Sequence, residues 1–556
     1  MSHNPWDDYY PRPRLRRESF LALNDGWTLD GRPIRVPWPP QAPLSEYGGE
    51  IGSKLSYSLA FTLPEGFLKE GQRAILHFGA VDQLAEVTLN GERVMEHAGG
   101  YLPFAADVTG ALNTTGENRL ELLATDTLSH HYPYGKQHKK PHGMWYTPVS
   151  GIWQPVWLEA VPEKGAVRGL RATPDLTGVT LEVKTDGPRF TVAVQLEGGG
   201  TLRAEGTTGE PLRLDIPNPH LWTPDDPCLY SFTVTTEAET VSSYFALRTV
   251  TTREIGGYTR LCLNEKPVFL HGVLDQGYFH DGLFLPARPE EYERDILRMK
   301  DLGFNLLRKH IKVEPEAFYC ACDRLGMLVM QDMVNSGGYN YFFDTVLPTL
   351  QLKRRIDRLP GNRARRDFFE KHTLSTIRRL YSHPCIIGWT IFNEGWGQYD
   401  SDRIYQACKQ LDPTRFFVSA SGWFAQKEGD VQSEHVYFRP RALKATKPGK
   451  FLLLSECGGF TRQVFGHGSE GKKAYGYGAA DSEQALTERI RALYDVMVLA
   501  SIPSGLCGCI YTQLSDVEGE INGLYTYDRQ VEKADRTAML ALAEDLRAAY
   551  RRACGD

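Results

Sequence analysis

The chain has 556 residues, 24% of them charged, and its formal net charge at pH 7 is −6. This length predicts two to four domains of a globular protein. The near balance of 63 basic and 69 acidic residues argues against a cationic surface for nucleic acid or anionic membrane. Since no segment approaches the ~18 apolar residues of a membrane span, we expect neither nucleic acid nor membrane as a partner.

The amino terminus and the cysteines predict a reduced, cytoplasmic protein. The start, Met1 to Asp8, lacks the basic residues and apolar stretch of a secretory signal. The ten cysteines are scattered, and Cys320-x-Cys322 and Cys507-x-Cys509 lack the two-residue gap of common zinc pairs. No phosphate-binding Gly-rich turn follows a strand-like segment. We therefore predict no metal site and no cofactor.

Two β-sandwich domains are predicted before residue 256. In residues 1–163, short alternating stretches such as 74–78 and 85–89 are separated by turns, and Asn90-Gly91 is a strong hairpin signal. This pattern predicts a sandwich or jelly roll. Residues 164–255 continue the β pattern, and roughly seven strands in about ninety residues fit an immunoglobulin-like sandwich.

Residues 256–556 alternate between strand and helix patterns, which predicts a parallel sheet with helical crossovers. Eight strands over about 300 residues match a (β/α)₈ TIM barrel. The predicted strands are 268–274, 305–310, 328–333, 386–393, 416–422, 433–438, 451–456 and 508–514. Helices are predicted at Pro289 to Leu302, Pro315 to Leu325, Asp367 to Tyr381, Ser482 to Ala500 and Ala534 to Arg551. Only short helices fit after the fifth and sixth strands.

The gap between the third and fourth predicted strands is long and strongly basic. It is either a functional loop or, as we favour, a solvated charged surface. Its basic residues are Lys353, Arg354, Arg355, Arg358, Arg363, Arg365 and Arg366.

Two glutamates carry the functional signal. Glu394 ends the fourth predicted strand and Glu456 ends the seventh, and each follows an apolar run and precedes a glycine-containing turn. Catalytic residues of a barrel lie at the carboxyl ends of its strands, so these two side chains are expected to face each other across the mouth. Two carboxylates from different strands are the minimum equipment for cutting a glycosidic bond. The alternative is that both glutamates merely end strands.

Five groups of motifs, in this order and spacing, resemble glycoside hydrolase family 2, the β-galactosidase, β-glucuronidase and β-mannosidase family. The jelly roll carries Gly99-Gly100-Tyr101-x-Pro103-Phe104 and Asp107-Val108-Thr109, and closes with Ser150-Gly151-Ile152-Trp153. Leu263-Asn264-x-Lys266-Pro267 is similar to the lead into the barrel. His383-Pro384, Trp389 and Asn393-Glu394 are similar to the acid/base signature, and Ser455-Glu456-x-Gly458-Gly459 to the nucleophile region.

The resemblance implies hydrolysis of β-glycosides with retention of configuration. Glu456 would be the nucleophile and Glu394 the acid/base, with carboxyl groups about 5–5.5 Å apart. Two like charges this close raise each other's pKa, which would keep Glu394 protonated. Arg308 matches the family arginine that would hold Glu456 ionised.

Further site residues follow from the same resemblance. Asn393 would bind the sugar 2-hydroxyl, and Tyr511 stands where relatives often place a tryptophan beneath the sugar. The remaining expectations concern side chains that line the site or bind hydroxyls, namely His310, His435, Tyr437, Asp275, Gln276 and Asp332.

Two loops bear on the identity of the sugar. In relatives, the jelly-roll loop equivalent to Tyr134 to Tyr146 reaches the barrel mouth, and its Lys136 and Trp145 are candidate substrate contacts. A basic loop there would pair with a uronate carboxylate, although it equally suits a solvated surface. After the eighth strand, Glu518 and Glu520 would repel a uronate and suit a neutral sugar; three oxygens from this one loop do not make a metal site.

We therefore expect an exo-acting retaining β-glycosidase that acts on a carbohydrate substrate, with β-galactosidase as the first hypothesis. The alternative within the same chemistry is a β-glucuronidase or β-galacturonidase. A non-catalytic carbohydrate-binding protein on an inactive barrel is a third hypothesis from another class. Family relatives commonly assemble, which predicts a homo-oligomer.

Overall fold

The computed structural model describes residues 3–347, 362–468 and 473–555. Its first domain is an antiparallel sandwich. The strands are β1 (Leu21–Ala22), β2 (Thr28–Leu29), β3 (Arg32–Pro33), β4 (Lys54–Thr62), β5 (Gln72–Phe78), β6 (Val81–Asp82), β7 (Leu84–Leu89), β8 (Glu92–Ala98), β9 (Phe104–Asp107), β10 (Glu117–Thr125), β11 (Gly151–Ile152) and β12 (Val156–Pro162). One sheet has the order β3-β2-β4-β10-β7-β8 and the other β1-β12-β5-β9, while β6 and β11 form a separate pair.

Along the strands of this sandwich, successive side chains point alternately into the core and toward solvent. In β10, Leu120, Leu122 and Ala124 point into the core, whereas Arg119 is exposed. The hairpin between β7 and β8 turns at Asn90-Gly91, both with positive φ (53° and 84°), as a type I′ turn requires.

The second sandwich has its own core, which includes Val183, Val192 and Phe232. Its strands are β13 (Val167–Pro174), β14 (Gly178–Thr185), β15 (Arg189–Gln195), β16 (Thr201–Thr207), β17 (Pro211–Asp215), β18 (Tyr230–Thr235) and β19 (Thr240–Phe245). Sheet β13-β14-β17 and sheet β16-β15-β18-β19 enclose this core.

A small sheet joins the sandwiches to the barrel. It consists of β20 (Val250–Ile255), β21 (Tyr258–Leu263) and β22 (Lys266–Pro267). Arg260 of β21 donates hydrogen bonds to the carbonyl oxygens of Ile502 and Leu506, each 2.9 Å long. The sheet is therefore attached at the amino-terminal end of the last barrel strand, away from the mouth.

Eight parallel strands form the barrel: β23 (Leu270–Asp275), β24 (Leu306–Lys309), β25 (Leu328–Asp332), β26 (Ile386–Asn393), β27 (Phe416–Ser421), β28 (Val431–Val436), β29 (Phe451–Gly458) and β32 (Leu506–Thr512). Their order is β27-β26-β25-β24-β23-β32-β29-β28, so hydrogen-bonded ladders among the described residues nearly close the circle. The short strands β30 (Thr461–Arg462) and β31 (Ala479–Ala480) pair outside it.

Helices cover the barrel from outside. They are α1 (Glu290–Asp301), α2 (Glu316–Leu325), α3 (Arg363–Leu380), α4 (Ser401–Leu411), α5 (Glu483–Leu493) and α6 (Arg536–Cys554). The side chains of Ser482 and Asp535 cap α5 and α6 by accepting hydrogen bonds from backbone N–H groups of the first turn. Shorter turns lie at Pro13–Leu15, Pro43–Ser45, Thr109–Ala111, Phe342–Val346, Tyr494–Val498 and Leu499–Ser504.

The predicted fold class is confirmed, since β-sandwich domains precede a barrel whose eight strands lie close to the predicted positions. The immunoglobulin-like classification of the second sandwich and the domain boundaries at 163/164 and 255/256 stay predictions.

Some helix predictions were wrong. Helix α4 was not foreseen. The helix predicted to reach Ala500 ends at Leu493, and a π turn and a 3-10 turn containing Pro503 follow it. The expected short helices after β27 and β28 are loops. Of the basic residues between β25 and β26, Lys353, Arg354, Arg355 and Arg358 lie outside the described residues.

The first sandwich sends a loop to the barrel mouth. The hydroxyl of Tyr134 donates to the carbonyl of Gly337, 2.9 Å away, and the backbone N–H of Thr147 donates to Glu518 Oε1, also 2.9 Å away. We call residues 134–147 the jelly-roll loop. These contacts place it against the carboxyl ends of the strands, a placement that the sequence left open against a solvated surface loop.

No helix among the residues described above combines the length and hydropathy needed to cross a membrane.

Candidate active site

Glu394 and Glu456 meet at the carboxyl end of the barrel. Glu394 directly follows β26, and Glu456 lies near the end of β29. One carboxylate oxygen from each and a ring nitrogen of His435 all lie within 4.8 Å of one another. Both glutamates are buried. This bound on one pair of oxygens is compatible with the ≈ 5–5.5 Å between the carboxyl groups of retaining enzymes.

Glu456 is held as a carboxylate. Burial alone would raise its pKa, but His435, Arg308 and His310 act in the opposite direction and bring the pKa to about 2. Arg308 Nη1 donates to Oε1 over 2.9 Å, and the Tyr437 hydroxyl donates to Oε2 over 2.6 Å.

Arg308 organises the floor of the site. Its side chain is fully buried in β24. Nε donates to Asp332 Oδ1 over 3.0 Å, and Nη2 donates to Asn393 Oδ1 over 2.8 Å. The hydroxyl of Ser421 also donates to that Asn393 oxygen, 2.6 Å away. Because Oδ1 of Asn393 accepts these two hydrogen bonds, the orientation of the amide is fixed, and its Nδ2 group is the donor that can face a ligand.

The environment of Glu394 shifts its pKa in the direction opposite to that of Glu456. Burial raises its pKa, and the nearby charge of Glu456 raises it further, whereas His435 and Lys136 lower it. Nδ1 of His435 lies 2.7 Å from Glu394 Oε1 and 3.6 Å from Glu456 Oε2. The backbone of Glu394 has a positive φ of 50°, which turns the chain sharply as β26 ends. The pKa values of these two neighbouring carboxyl groups are thus displaced in opposite directions.

His310 contacts the same network. Its Nδ1 lies 2.8 Å from Asp332 Oδ2. Burial and the charge of Lys136 lower its pKa to about 4, although Asp332 opposes this shift. The ring is therefore neutral at pH 7. Asp332 accordingly serves Arg308 and His310 rather than standing free for a sugar hydroxyl.

Lys136 of the jelly-roll loop reaches the mouth. Its Nζ lies 5.9 Å from the ring centre of Trp396 and 6.0 Å from that of Tyr146. Lys136 is buried, and among the described residues no carboxylate lies within 4.0 Å of it. The loop therefore brings a positive charge without an ion-pair partner to within electrostatic range of Glu394.

Trp145 forms an aromatic wall. It stacks on Trp396, with centroids 5.4 Å apart and planes at 24°, and Tyr339 packs against both rings at 5.1 and 5.0 Å. Trp396 follows Glu394 by two residues. Trp145 of the jelly-roll loop therefore contacts the ring of Trp396 at the barrel mouth.

Two residues predicted to bind the sugar, Asp275 and Tyr511, do not face the two carboxylates. Asp275 accepts a hydrogen bond from Lys309 of the neighbouring strand, and Lys309 also binds Glu314 over 2.9 Å. This buried ion network occupies the Asp275 carboxylate, so it is not presented to a sugar hydroxyl.

The ring of Tyr511, in β32, packs against Gly458 of the neighbouring strand β29. A Cβ added at Gly458 would collide with this ring. Its neighbour Thr512 places its hydroxyl 2.9 Å from the Tyr437 hydroxyl, beside Glu456. Successive side chains of a strand point to opposite faces. Thr512, rather than Tyr511, therefore faces the carboxylates. The ends of predicted strands five and eight could have identified Ser421 and Thr512 from the sequence.

The loop after β32 binds the jelly-roll loop. Gln276 donates to Gln513 over 2.8 Å, Gln513 donates to Asn522 over 2.8 Å, and Asn522 donates to Glu520 over 3.0 Å. The hydroxyl of Tyr146 completes this chain on Glu520, at 2.5 Å. The carboxylate of Glu520 is thus engaged by protein donors.

Three family models match the chain in order. They are described as "Glycosyl hydrolase 2 galactose-binding domain-like" (residues 51–157), "Glycosyl hydrolases family 2" (169–248) and "Glycosyl hydrolases family 2, TIM barrel domain" (256–441).

Individual relatives agree with these models. A β-galactosidase of Pectobacterium atrosepticum is 27% identical over 73% of this chain and 41% of its own length. A β-glucuronidase of Felis catus is 26% identical over 68% of this chain and 61% of its own. The chain thus spans about half the length of these relatives. The β-D-glucuronidase structure of Dictyoglomus thermophilum superposes with a TM-score of 0.75 at 18% identity, covering 97% of this chain and 98% of that one, which shows a shared fold.

Proposed function

Because this chain belongs to glycoside hydrolase family 2, we propose that it is an exo-acting β-glycosidase that hydrolyses terminal β-linked sugars with retention of configuration. The observation that carries this proposal is the pair Glu394 and Glu456, with oxygens within 4.8 Å and pKa values displaced in opposite directions. The jelly-roll loop closes one side of the mouth, which supports action on chain ends rather than within chains.

In the first step, an oxygen of Glu456 attacks the anomeric carbon while the bond to the leaving oxygen breaks. Glu394 gives its proton to that oxygen, so the leaving group departs neutral. In the second step, Glu394 removes a proton from water, whose oxygen attacks the anomeric carbon and releases Glu456. Two inversions at one carbon give net retention.

Supporting residues have matching roles. Arg308 and Tyr437 hold Glu456 in a fixed position and ionised. Asn393, with its oxygen occupied, presents Nδ2 to the sugar 2-hydroxyl, a contact that strengthens in the transition state. His435 touches both carboxylates and so keeps their oxygens at a fixed separation.

The first sugar we propose is a neutral β-galactoside, in keeping with the β-galactosidase relative and with Glu520 at the mouth. A β-glucuronide or β-galacturonide is the second candidate, because Lys136 brings an ammonium group that has no carboxylate of the described residues within 4.0 Å. A substrate carboxylate would supply the missing partner.

A panel of 4-nitrophenyl β-glycosides tests the proposal. Turnover of the galactoside alone supports the first candidate, and turnover of the uronides alone supports the second. Proton NMR of the first product should show the β-anomer; early appearance of the α-anomer would refute the double displacement. No turnover of any glycoside would favour the non-catalytic carbohydrate-binding alternative.

The cytoplasmic location and the homo-oligomer stay predictions.

A further inference from the structure

Three side chains with different metal-binding atoms converge in the second sandwich. A ring nitrogen of His220, a carboxylate oxygen of Glu197 and the thiol sulfur of Cys228 all lie within 4.8 Å of one another. Glu197 lies in the turn between β15 and β16, and the other two residues lie in the connection between β17 and β18. The cluster therefore belongs to a domain that carries none of the proposed catalytic residues.

Carboxylates contact both nitrogens of the His220 ring. Nδ1 lies 2.7 Å from Glu197 Oε2, and Nε2 lies 2.6 Å from Asp226 Oδ2. Since ionised carboxylates only accept hydrogen bonds, each contact requires a proton or a metal cation between its two atoms. Metal-binding histidines commonly donate their second ring N–H to a carboxylate, which fixes the ring and leaves the other nitrogen for the metal. Asp226 is placed for the first role and Nδ1 for the second.

The core of the protein fixes the position of His220. Its backbone N–H donates to the hydroxyl of Tyr230 over 2.8 Å, and Tyr230 is buried in the sandwich. Two residues further on, Trp222 is fully buried, and its indole N–H donates to the carbonyl of Asp323 in α2 over 2.7 Å. The imidazole is therefore carried by a segment that is anchored to both the sandwich and the barrel.

Solvent reaches the cluster from the side of the carboxylates. The side chains of Glu197 and Asp226 are 60% and 66% exposed, and that of His220 is 31% exposed. Zinc bonds to nitrogen and oxygen at about 2.0–2.2 Å and to sulfur at about 2.3 Å, so Glu197 has to shift to admit a cation between its oxygen and Nδ1. Because its side chain is exposed, Glu197 can make this shift without disturbing the core.

The types of ligand atom select the metal. Ca²⁺ and Mg²⁺ are bound by oxygen ligands, whereas this cluster combines an imidazole nitrogen, a thiol sulfur and a carboxylate oxygen. These three are the ligand types that Zn²⁺ takes in proteins. The cluster is therefore suited to Zn²⁺ or to a transition-metal cation of similar preference.

We propose that Glu197, His220 and Cys228 form a structural binding site for Zn²⁺, with water as the fourth ligand. The cation replaces the proton on His220 Nδ1 and the thiol proton, and both protons pass to solvent. It would join the β15–β16 turn to the segment that Trp222 anchors on the barrel, and so stabilise the contact between these domains. The sequence predicted no metal site, because the spacing of these three residues matches no common zinc motif. The inference does not depend on the proposed catalytic function.

Substitution with Co²⁺ tests whether the thiol is a ligand. We would add Co²⁺ to the full-length protein after removal of metals with a chelator and record the absorption spectrum. Thiolate coordination produces a sulfur-to-cobalt charge-transfer band in the near ultraviolet, which we expect in the wild type and not in Cys228→Ser. Cys554→Ser is the matched control, since this cysteine is also half-buried, and it should keep the band. A wild-type protein without the band, or a band of equal intensity in Cys228→Ser, would overturn the site.

Competition with a chromophoric chelator measures the affinity for Zn²⁺. Loss of an outer hydrogen-bond partner of a ligand costs about 10- to 100-fold in metal affinity, so we expect a loss in this range for Asp226→Asn. Glu197→Gln and His220→Ala, which each remove a ligand, should lose more than about tenfold. His467→Ala is the matched control, because His467 Nδ1 also contacts a carboxylate, that of Asp528, at 2.8 Å; its affinity should equal that of the wild type.

Thermal unfolding supplies an independent measurement. A cation that binds only the folded protein raises Tm, so Zn²⁺ should raise the Tm of the wild type and of His467→Ala but not that of His220→Ala. The exposed substitution Glu197→Gln replaces His220→Ala in this comparison if the latter does not fold, as judged by circular dichroism. Wild-type affinity in Glu197→Gln, or an equal rise in Tm with and without the ligand, would overturn the site.

Discussion

Nη1 of Arg308 lies 2.9 Å from Oε1 of Glu456, and the guanidinium is held in place by Asp332 and Asn393. A fully buried cation with this many partners cannot turn away when the charge of Glu456 changes. In the proposed mechanism it therefore acts, together with His435, against the effect of burial on the pKa of Glu456. The electrostatic difference between Glu456 and Glu394 is the basis of the first three predictions.

Glu456→Gln should abolish turnover, because a neutral amide cannot attack the anomeric carbon. We expect a loss of kcat of about a thousandfold or more, as for removal of other covalent nucleophiles, with sugar binding retained in calorimetry. Glu434→Gln on the neighbouring strand β28 is the control and should keep activity. Undiminished turnover by Glu456→Gln would remove Glu456 from the nucleophile role.

Glu394→Gln should discriminate between leaving groups. An unactivated alkyl glycoside needs a proton at its leaving oxygen, so its kcat/KM should fall by about 10²- to 10⁴-fold. The first step for a 2,4-dinitrophenyl glycoside needs little protonation, so its kcat/KM should change far less. Equal losses for both substrates would contradict the assignment of Glu394 as the acid.

The pH profile of kcat/KM should have two limbs with defined origins. The proposed mechanism requires an ionised Glu456, and kcat/KM should fall as the pH drops toward its pKa of about 2. It also requires a protonated Glu394, and kcat/KM should fall as the pH rises through the raised pKa of this group. Arg308→Lys keeps the charge but loses the planar guanidinium that binds Asp332 and Asn393 while Nη1 reaches Glu456, so the acid limb should move to higher pH. Arg260→Lys, a buried arginine at the other end of the barrel, should leave the limb in place. An unmoved acid limb in Arg308→Lys would contradict the role of this guanidinium.

Tyr511 and Thr512 can be distinguished by two conservative changes. Thr512→Val removes the hydroxyl beside Tyr437 and should lower kcat/KM by about three- to tenfold, the value of one hydrogen bond. Tyr511→Phe should leave KM for the glycoside within about twofold, because we place this ring away from the sugar. A large increase in KM for Tyr511→Phe would restore Tyr511 as a sugar contact.

Asp323 anchors the second sandwich to the barrel and yields a stability prediction. Its buried carboxylate contacts His383 Nδ1 at 2.6 Å and accepts hydrogen bonds from the Tyr244 hydroxyl at 2.7 Å and the Cys385 N–H at 2.8 Å. Asp323→Ala leaves these buried groups without a partner and should lower the free energy of unfolding by about 3 kcal/mol, measured in urea. Asp545→Ala, in an exposed pair with Arg491, should cost less than about 1 kcal/mol. Similar values for the two variants would contradict the anchor.

The chain order of strands and the residues at their ends were readable from the sequence, because apolar runs that stop at a polar residue and a glycine mark the rim of a barrel. This applied to Glu394 and Glu456, whereas Asn393 and Arg308 were identified through the family resemblance. The orientation of Tyr511 was not readable: every residue of Leu506–Thr512 is buried, so the run carries no alternation that tells the inside from the outside.

Other features depend on pairings between distant segments. Asp275 stands opposite Lys309 in the register of β23 and β24, and this partner is known only once the strands pair. A cavity lined by aromatic rings is formed by residues of the jelly-roll loop, by Tyr339 and Tyr341, and by Tyr475. No local pattern in the sequence indicates that these pieces converge.

The hydrogen bond from Thr147 to Glu518 joins residues 371 positions apart. During synthesis, the loop that carries Lys136 and Trp145 leaves the ribosome long before the final barrel strand is made. The nascent polypeptide therefore cannot possess a complete mouth until its carboxyl-terminal portion has emerged and docked.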